Sequence, residues 1–193
     1  MSFASEVIVY VGRVREFRRE DVLIYTGWVG LMLGLCAATS GFLGFGAYHA
    51  VAFPAEAWLI PVGALVFSTS IAVDTIGHRT IYKAVIARAE GLVHGITILC
   101  GIGSVVLLCA AYERPGLWIP ALVLTVLSFM YSLVDEIFHW QRYVSDHADR
   151  VEMWSHVGIL VGHGTMMLAW WCWYFGGYQG VAETLQHLNG GAS

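Results

Sequence analysis

The residues best equipped for chemistry form one pattern written twice. Residues 73–95 read VDTIGHRTIYKAVIARAEGLVHG and residues 134–158 read VDEIFHWQRYVSDHADRVEMWSHVG. Both spell V-D-x-x-x-H, then eleven or twelve residues, then E-x-x-x-H. Asp74 matches Asp135, His78 matches His139, Glu90 matches Glu152 and His94 matches His156, with Tyr82 and Tyr143 also in register. Residues four apart share a helical face, so each pair projects one carboxylate and one imidazole in the same direction. Such mixed oxygen and nitrogen sets, without thiolate, are ligands for iron, manganese, zinc or copper.

A repeat defines a structural unit, and here the unit reads as a helical hairpin used twice. Antiparallel helices reverse their order along the bundle axis. Asp74 and His94 therefore fall level with each other, as do His78 and Glu90; in the second unit Asp135 falls level with His156, and His139 with Glu152. Two layers about 6 Å apart result, one helical turn, which suits two metal ions. Iron is the expected metal, because paired ions in carboxylate-rich sites favour iron or manganese. Two other readings stay open: the acids form an interfacial ion-pair network with Arg79, Lys83, Arg88, Arg142 or Arg150, or His94, His156 or His163 ligate a haem.

Glu136 adds an E-x-x-H, Glu136 to His139, the i, i+3 pair that recurs in diiron carboxylate bundles. In ligand type and helix placement the sequence resembles the four-helix diiron proteins, which implies a metal set of Asp74, His78, Glu90, His94, Asp135, Glu136, His139, Glu152 and His156. The first repeat departs from that pattern with Thr75 where the second has Glu136, and four candidate histidines replace the two usual in that group. The D-x-x-x-H element also looks like a copper site of the copper membrane monooxygenases, whose spacing to the next histidine is not reproduced.

Around this set, Tyr82 and Tyr143 are placed to hydrogen-bond ligating groups from outside, as partners of metal ligands commonly do. His163 lies about 10 Å deeper than His156 by helical rise. Its glycine neighbours Gly158, Gly162 and Gly164 suggest a packing seam with one hydrogen-bonded histidine, or a group facing a substrate pocket. Asp146 and His147 read as solvated connection residues able to cap the site; His49 and His187 fall on the far side.

The elements that must position these groups are membrane helices. The chain has 193 residues, is 58% hydrophobic and only 12% charged, outside the usual range of a soluble domain. A span needs about 20 mostly apolar residues. Five segments qualify: Val22 to Tyr48, Ala57 to about Lys83, about Arg88 to Tyr112, Leu117 to about Tyr143, and Val151 to Tyr178. The fold expected is an all-α integral membrane protein in which the last four helices make a pseudo-twofold four-helix bundle, with repeat units of about 57–112 and 117–178. Residues 1–20 form an N-terminal segment, amphipathic or a basic tail, without the pattern of a signal peptide; residues 181–193 form a short tail.

With alternating helices, nine of the ten cationic side chains fall on one side and only Arg114 on the other. The positive-inside rule then sets the N-terminus in the cytoplasm and the C-terminus outside or in the periplasm, as in a bacterial inner membrane. Trp170, Trp171, Trp173, Tyr174, Phe175 and Tyr178 read as an aromatic belt at the outer face. Gly30 and Gly34 read as a helix-packing or homo-oligomer contact. Cys36, Cys100, Cys109 and Cys172 stand singly and read as buried apolar residues. No basic tract points to nucleic acid, and the net charge is -4.

Together these features predict a membrane-bound dimetal oxidoreductase that activates O2 at the cytoplasmic boundary and hydroxylates or desaturates a hydrophobic substrate from the lipid phase. A separate electron donor is expected. The alternatives are a carrier for divalent metal or protons and a haem b cytochrome.

Overall fold

A computed structural model describes residues 2–82, 88–146 and 149–190. The described residues form helices and turns only: α1 (Phe3–Gly12), α2 (Arg19–Tyr48), α3 (Ala55–Thr80), α4 (Arg88–Ala110), α5 (Trp118–Asp146), α6 (Arg150–Phe175) and α7 (Val181–Gly190). Short 3-10 turns at Arg13–Glu16 and Pro115–Leu117 lead into α2 and α5.

Local chemistry fixes the ends. Ser2 caps α1, its Oγ accepting from the Ser5 N–H at 3.3 Å. At the start of α2, Asp21 accepts from the Arg18 N–H at 3.1 Å and from Arg79 at the end of α3, Nε at 2.7 Å and Nη2 at 2.6 Å. One buried carboxylate thus caps a helix and ties it to its neighbour. After α6, Gly177 at φ 75 turns the chain back, and the Tyr178 N–H reaches the Trp173 carbonyl at 2.9 Å.

Four helices are long and apolar enough to cross a membrane: Arg19–Tyr48, Ala55–Thr80, Ala89–Ala110 and Pro115–Ser145. Helix α6 is 26 residues long but is not among them. The reason is its polar content: Glu152, Ser155, His156 and His163 are turned inward and buried, so the helix most enclosed by the others has the least need to be apolar.

Packing gives the order α2, α3, α6, α5, α4 around an open ring. The tightest seam joins α3 to α6, where any Cβ on Gly162 would collide with the Phe67 backbone, on Gly63 with that of Met166, and on Gly158 with Ser70. The seam expected at Gly158 and Gly162 is therefore an α3–α6 contact, while Gly164 faces open space. Among the described residues neither α3 and α4 nor α2 and α4 meet backbone to backbone.

Several surface expectations are corrected. Trp170, Trp171, Trp173 and Tyr178 are buried in the main hydrophobic core, where Trp171 Nε1 donates to Thr125 Oγ1 at 3.2 Å and Trp173 Nε1 to the Gln179 carbonyl at 3.0 Å. They fasten α6 and α7 to the bundle; only Phe175 of that run is fully exposed. A Cβ at Gly30 or Gly34 would meet nothing within 4 Å, so neither is an intrachain contact. Cys109 and Cys172 are exposed and Cys100 alone is buried.

Candidate metal centre

Every element of the bundle except α2 and α7 delivers a side chain to one end of the molecule. Asp74 and His78 come from the last turns of α3, Glu90 and His94 from the first turns of α4, Asp135 and His139 from the C-terminal part of α5, and Glu152 and His156 from the start of α6. The i, i+4 spacing keeps each pair on the inward face, and Glu90, His139, Glu152 and His156 are at most 2% exposed.

The contacts fall into two levels. In the deeper one Asp74 Oδ1 lies 2.9 Å from His156 Nε2, and Asp135 Oδ1 lies 3.1 Å from His94 Nδ1. In the outer one His139 Nδ1 lies 2.9 Å from Glu152 Oε1, with His139 Nε2 3.7 Å from Glu90 Oε1. The acid of each repeat's first helix thus meets the histidine of the other repeat's second helix. His78 Nε2 and Asp74 Oδ2 at 3.4 Å link the levels, as do His139 Nε2 and Asp135 Oδ2 at 3.8 Å.

Three atoms in this cluster, His78 Nε2, Asp135 Oδ1 and His139 Nε2, are buried without a hydrogen-bond partner among the described residues. The short distances at His78 and at Asp135 are close approaches without hydrogen-bond alignment. Orphaned buried polar atoms are costly and rare. Lone pairs facing a common point are, however, what a cation requires: ligands on one ion at 2.0–2.2 Å stand about 3 Å apart. Three sets have ligand atoms within 4.8 Å of one another: Asp74, His78 and His94; His94, Asp135 and His139; and His78, His139, Glu152 and His156. Because His78, His94 and His139 each serve two sets, the sets form one continuous cluster.

The remaining polar groups hold this cluster in place. Arg142 of α5 is buried, reaches both Glu90 oxygens at 2.6 Å and Glu152 Oε1 at 2.8 Å, and lies 4.7 Å over the Tyr82 ring. Glu152 also accepts from His139 Nδ1–H, which fixes the tautomer that leaves Nε2 as an acceptor. His156 donates through Nδ1 to Glu136 Oε1 at 3.1 Å, so Glu136 orients a histidine and stands behind the cluster. The Tyr82 hydroxyl accepts from the Asp149 N–H at 3.5 Å, just before α6. Tyr143 lies apart, its ring 6.1 Å from Trp140. His147 and the side chain of Asp146 lie outside the described residues, as do Lys83 and the side chain of Arg88.

Arg142, one of the five cations that the sequence offers as ion-pair partners of the acids, is that partner for Glu90 and Glu152, whereas nothing in the sequence points to Tyr10. Arg142 counts among the cytoplasmic cations by position, yet it lies on the inward face one turn after His139. Tyr10 comes from α1, whose Glu6 pairs with Arg150 at 2.6 Å and seats the helix on α6. Its hydroxyl presses on Gly77, is buried, and has no hydrogen-bond partner among the described residues. Burial, with the charges of Asp74 and Glu152, pushes the phenol pKa upward, so it remains a proton donor.

The cluster forms one end of a cavity of about 430 Å³ lined by α2, α3, α4, α5 and α6. Its walls beyond the acids are chiefly apolar. His163 lies in that wall, stacked between Phe129 at 4.4 Å and Phe67 at 5.4 Å, away from the ligand sets. On the opposite face His49 and His187 stack at 4.6 Å. No protein-family model, no curated protein and no solved structure matches the chain.

Proposed function

We propose that the chain is a membrane-embedded dimetal oxidoreductase, most simply a diiron one, that uses O2 to hydroxylate or desaturate an apolar substrate drawn from the bilayer. The observation that carries this reading is the set of inward-facing buried atoms with no hydrogen-bond partner among the described residues, His78 Nε2, Asp135 Oδ1 and His139 Nε2, at the polar end of an apolar cavity. Charge supports it as well. Among the described side chains of the cluster, the five carboxylates of Asp74, Glu90, Asp135, Glu136 and Glu152 face the guanidinium of Arg142, an excess of four that two divalent cations would neutralise.

In this reading α6 is a fifth crossing, the two repeat units, whose helices pack α3 on α6 and α4 on α5, are related by a pseudo-twofold axis, and the cluster lies at the cytoplasmic boundary with the N-terminus inside. Asp74, His78, His94, Asp135, His139 and His156 hold the ions. Glu152 and Glu136 orient two of the histidines, and Arg142 fixes Glu90 and Glu152. Bound iron would supply the O2-reducing chemistry. Hydroxylation converts C–H and O2 to C–OH and water, consuming two electrons and two protons; the electrons come from a separate redox protein. The protein's own contribution is to hold the substrate carbon against the cluster and to keep bulk water from it.

Elemental analysis of protein purified without added metal tests the reading. About two iron atoms per chain are expected, from the two-ion arrangement, falling steeply in Asp135→Asn and His139→Ala. Full metal content in both variants, or none in the native protein from metal-replete cells, overturns it. Incorporation of labelled oxygen from O2 into extracted lipids then distinguishes hydroxylation from desaturation.

A further inference from the structure

Helices α2 and α4 both line the cavity yet do not meet each other among the described residues. The ring is therefore open between them. Ile24 and Leu31 of α2 and Val106 of α4 line the cavity and are also exposed, so they mark the mouth. If these helices cross a bilayer, the mouth faces acyl chains.

Midway along the apolar wall stands a second polar group of residues. His163 is 4% exposed and held by two phenylalanine rings, and its imidazole makes no hydrogen bond among the described residues. Thr97 Oγ1, on the facing wall of α4, is buried and also lacks a partner among the described residues. Gly101, one turn beyond Thr97, leaves room between them: a Cβ there would stand 3.3 Å from Ser128 Oγ and 4.0 Å from His163 Nε2. Ser128 Oγ itself donates to the Thr97 carbonyl at 3.2 Å, so it anchors the wall. An apolar cavity needs none of these groups for its own stability, and leaving them unpaired is costly. A neutral imidazole offers one donor and one acceptor, and a threonine hydroxyl one donor.

We propose that His163 and Thr97 form a recognition subsite for a single oxygen, carbonyl or hydroxyl, on an otherwise apolar lipid-phase molecule that enters between α2 and α4. Seven residues of α6 separate His163 from His156, about 10 Å by helical rise. The bound molecule therefore presents to the acid–imidazole cluster a carbon about that far from its own oxygen. The inference deepens the oxidoreductase reading, since it takes the cavity as that centre's substrate site. It names the substrate as an oxygenated lipid in preference to a plain hydrocarbon, and it assigns His163 to specificity.

The test compares two probes of equal length, pentadecan-2-one and pentadecane, for binding to the full-length protein in detergent. Tritiated probe is used, and each measurement is made with and without chelator. The native protein should prefer the ketone by about 3- to 10-fold, the equivalent of one net hydrogen bond. His163→Phe and Thr97→Val should each shrink that preference toward unity while alkane affinity stays unchanged, which also shows that the variants are folded. A preference that survives chelation and vanishes in His163→Phe supports the subsite whatever the metal content is. Equal affinity for both probes in the native protein, or a preference retained in both variants, overturns it. Metal analysis of the same samples decides the metal reading separately.

Discussion

Arg142 holds Glu90 by both carboxylate oxygens at 2.6 Å although 52 residues separate them, and the same guanidinium reaches Glu152 at 2.8 Å. One cation therefore joins the start of α4, the end of α5 and the start of α6. Both carboxylates are almost fully buried, so removing the cation leaves two uncompensated charges in the interior.

Arg142→Ala should accordingly destabilise the protein by about 3–5 kcal/mol, the usual cost of breaking a buried pair from one side. Arg142→Lys should recover only part of this, since an ammonium cannot engage both oxygens of Glu90 and Glu152 together. Thermal unfolding in detergent reads the order native, lysine, alanine. If Arg142→Ala unfolds like the native protein, the residue has no clamping role.

The eight-residue skeleton was legible because period-four spacing is a property of sequence, and the contacts follow the two levels that spacing defines. The partner exchange, Asp74 with His156 and Asp135 with His94, was not legible. It depends on α3 packing against α6 and α4 against α5; the close approach of α3 and α6 at Gly63, Gly158 and Gly162 is a feature that no ligand motif encodes. Arg142 was legible only as one of five cations able to pair with the acids: an arginine one turn past His139 near a helix end looks like a topological cation until the neighbouring helices enclose it. Tyr10 lies in a separate short helix, and only the small Gly77 surface that receives it carries a trace of the contact. The tryptophans of α6 show the opposite failure, since aromatic residues near a helix end suit a membrane interface as well as a core.

The metal ligands should separate from the residues behind them by metal content. His139→Ala removes an inward-facing lone pair and should abolish binding at one level. Glu136→Gln keeps a hydrogen-bonding group on His156 Nδ1 and should weaken metal retention only about 10- to 100-fold, as changes to orienting partners commonly do. Competition with a graded series of chelators measures both. Equal losses in the two variants would place Glu136 among the direct ligands.

The α3–α6 seam predicts opposite outcomes for glycines of one type. Gly34→Ala adds a methyl group into open space and should be neutral or stabilising by up to about 1 kcal/mol, because alanine is the better helix former. Gly162→Ala drives a methyl group into the Phe67 backbone, forces α6 away from α3 and should cost at least about 1–3 kcal/mol as an overpacking change. Since α6 carries Glu152 and His156, metal content should fall with it. A Gly162→Ala protein with native stability and metal would show that the helices are farther apart.

Tyr10 and Gly77 offer a test of whether α1 closes the cluster. The Gly77 Cα face is occupied by the Tyr10 hydroxyl, so Gly77→Ala cannot be accommodated with that hydroxyl in place, and α1 should detach. Tyr10→Phe alone removes a buried hydroxyl that has no partner among the described residues; the loss of that unsatisfied group should leave stability unchanged or slightly raised. In the double variant Tyr10→Phe, Gly77→Ala the phenyl ring keeps its seat while the atom that collides is gone, so α1 should dock again. Hydrogen exchange across Phe3–Gly12 reads docking directly: fast in Gly77→Ala, slow in the native protein, in Tyr10→Phe and in the double variant. The double variant exchanging as fast as Gly77→Ala would mean that the hydroxyl is not what the alanine displaces, and the closure of the cluster by α1 would have to be abandoned.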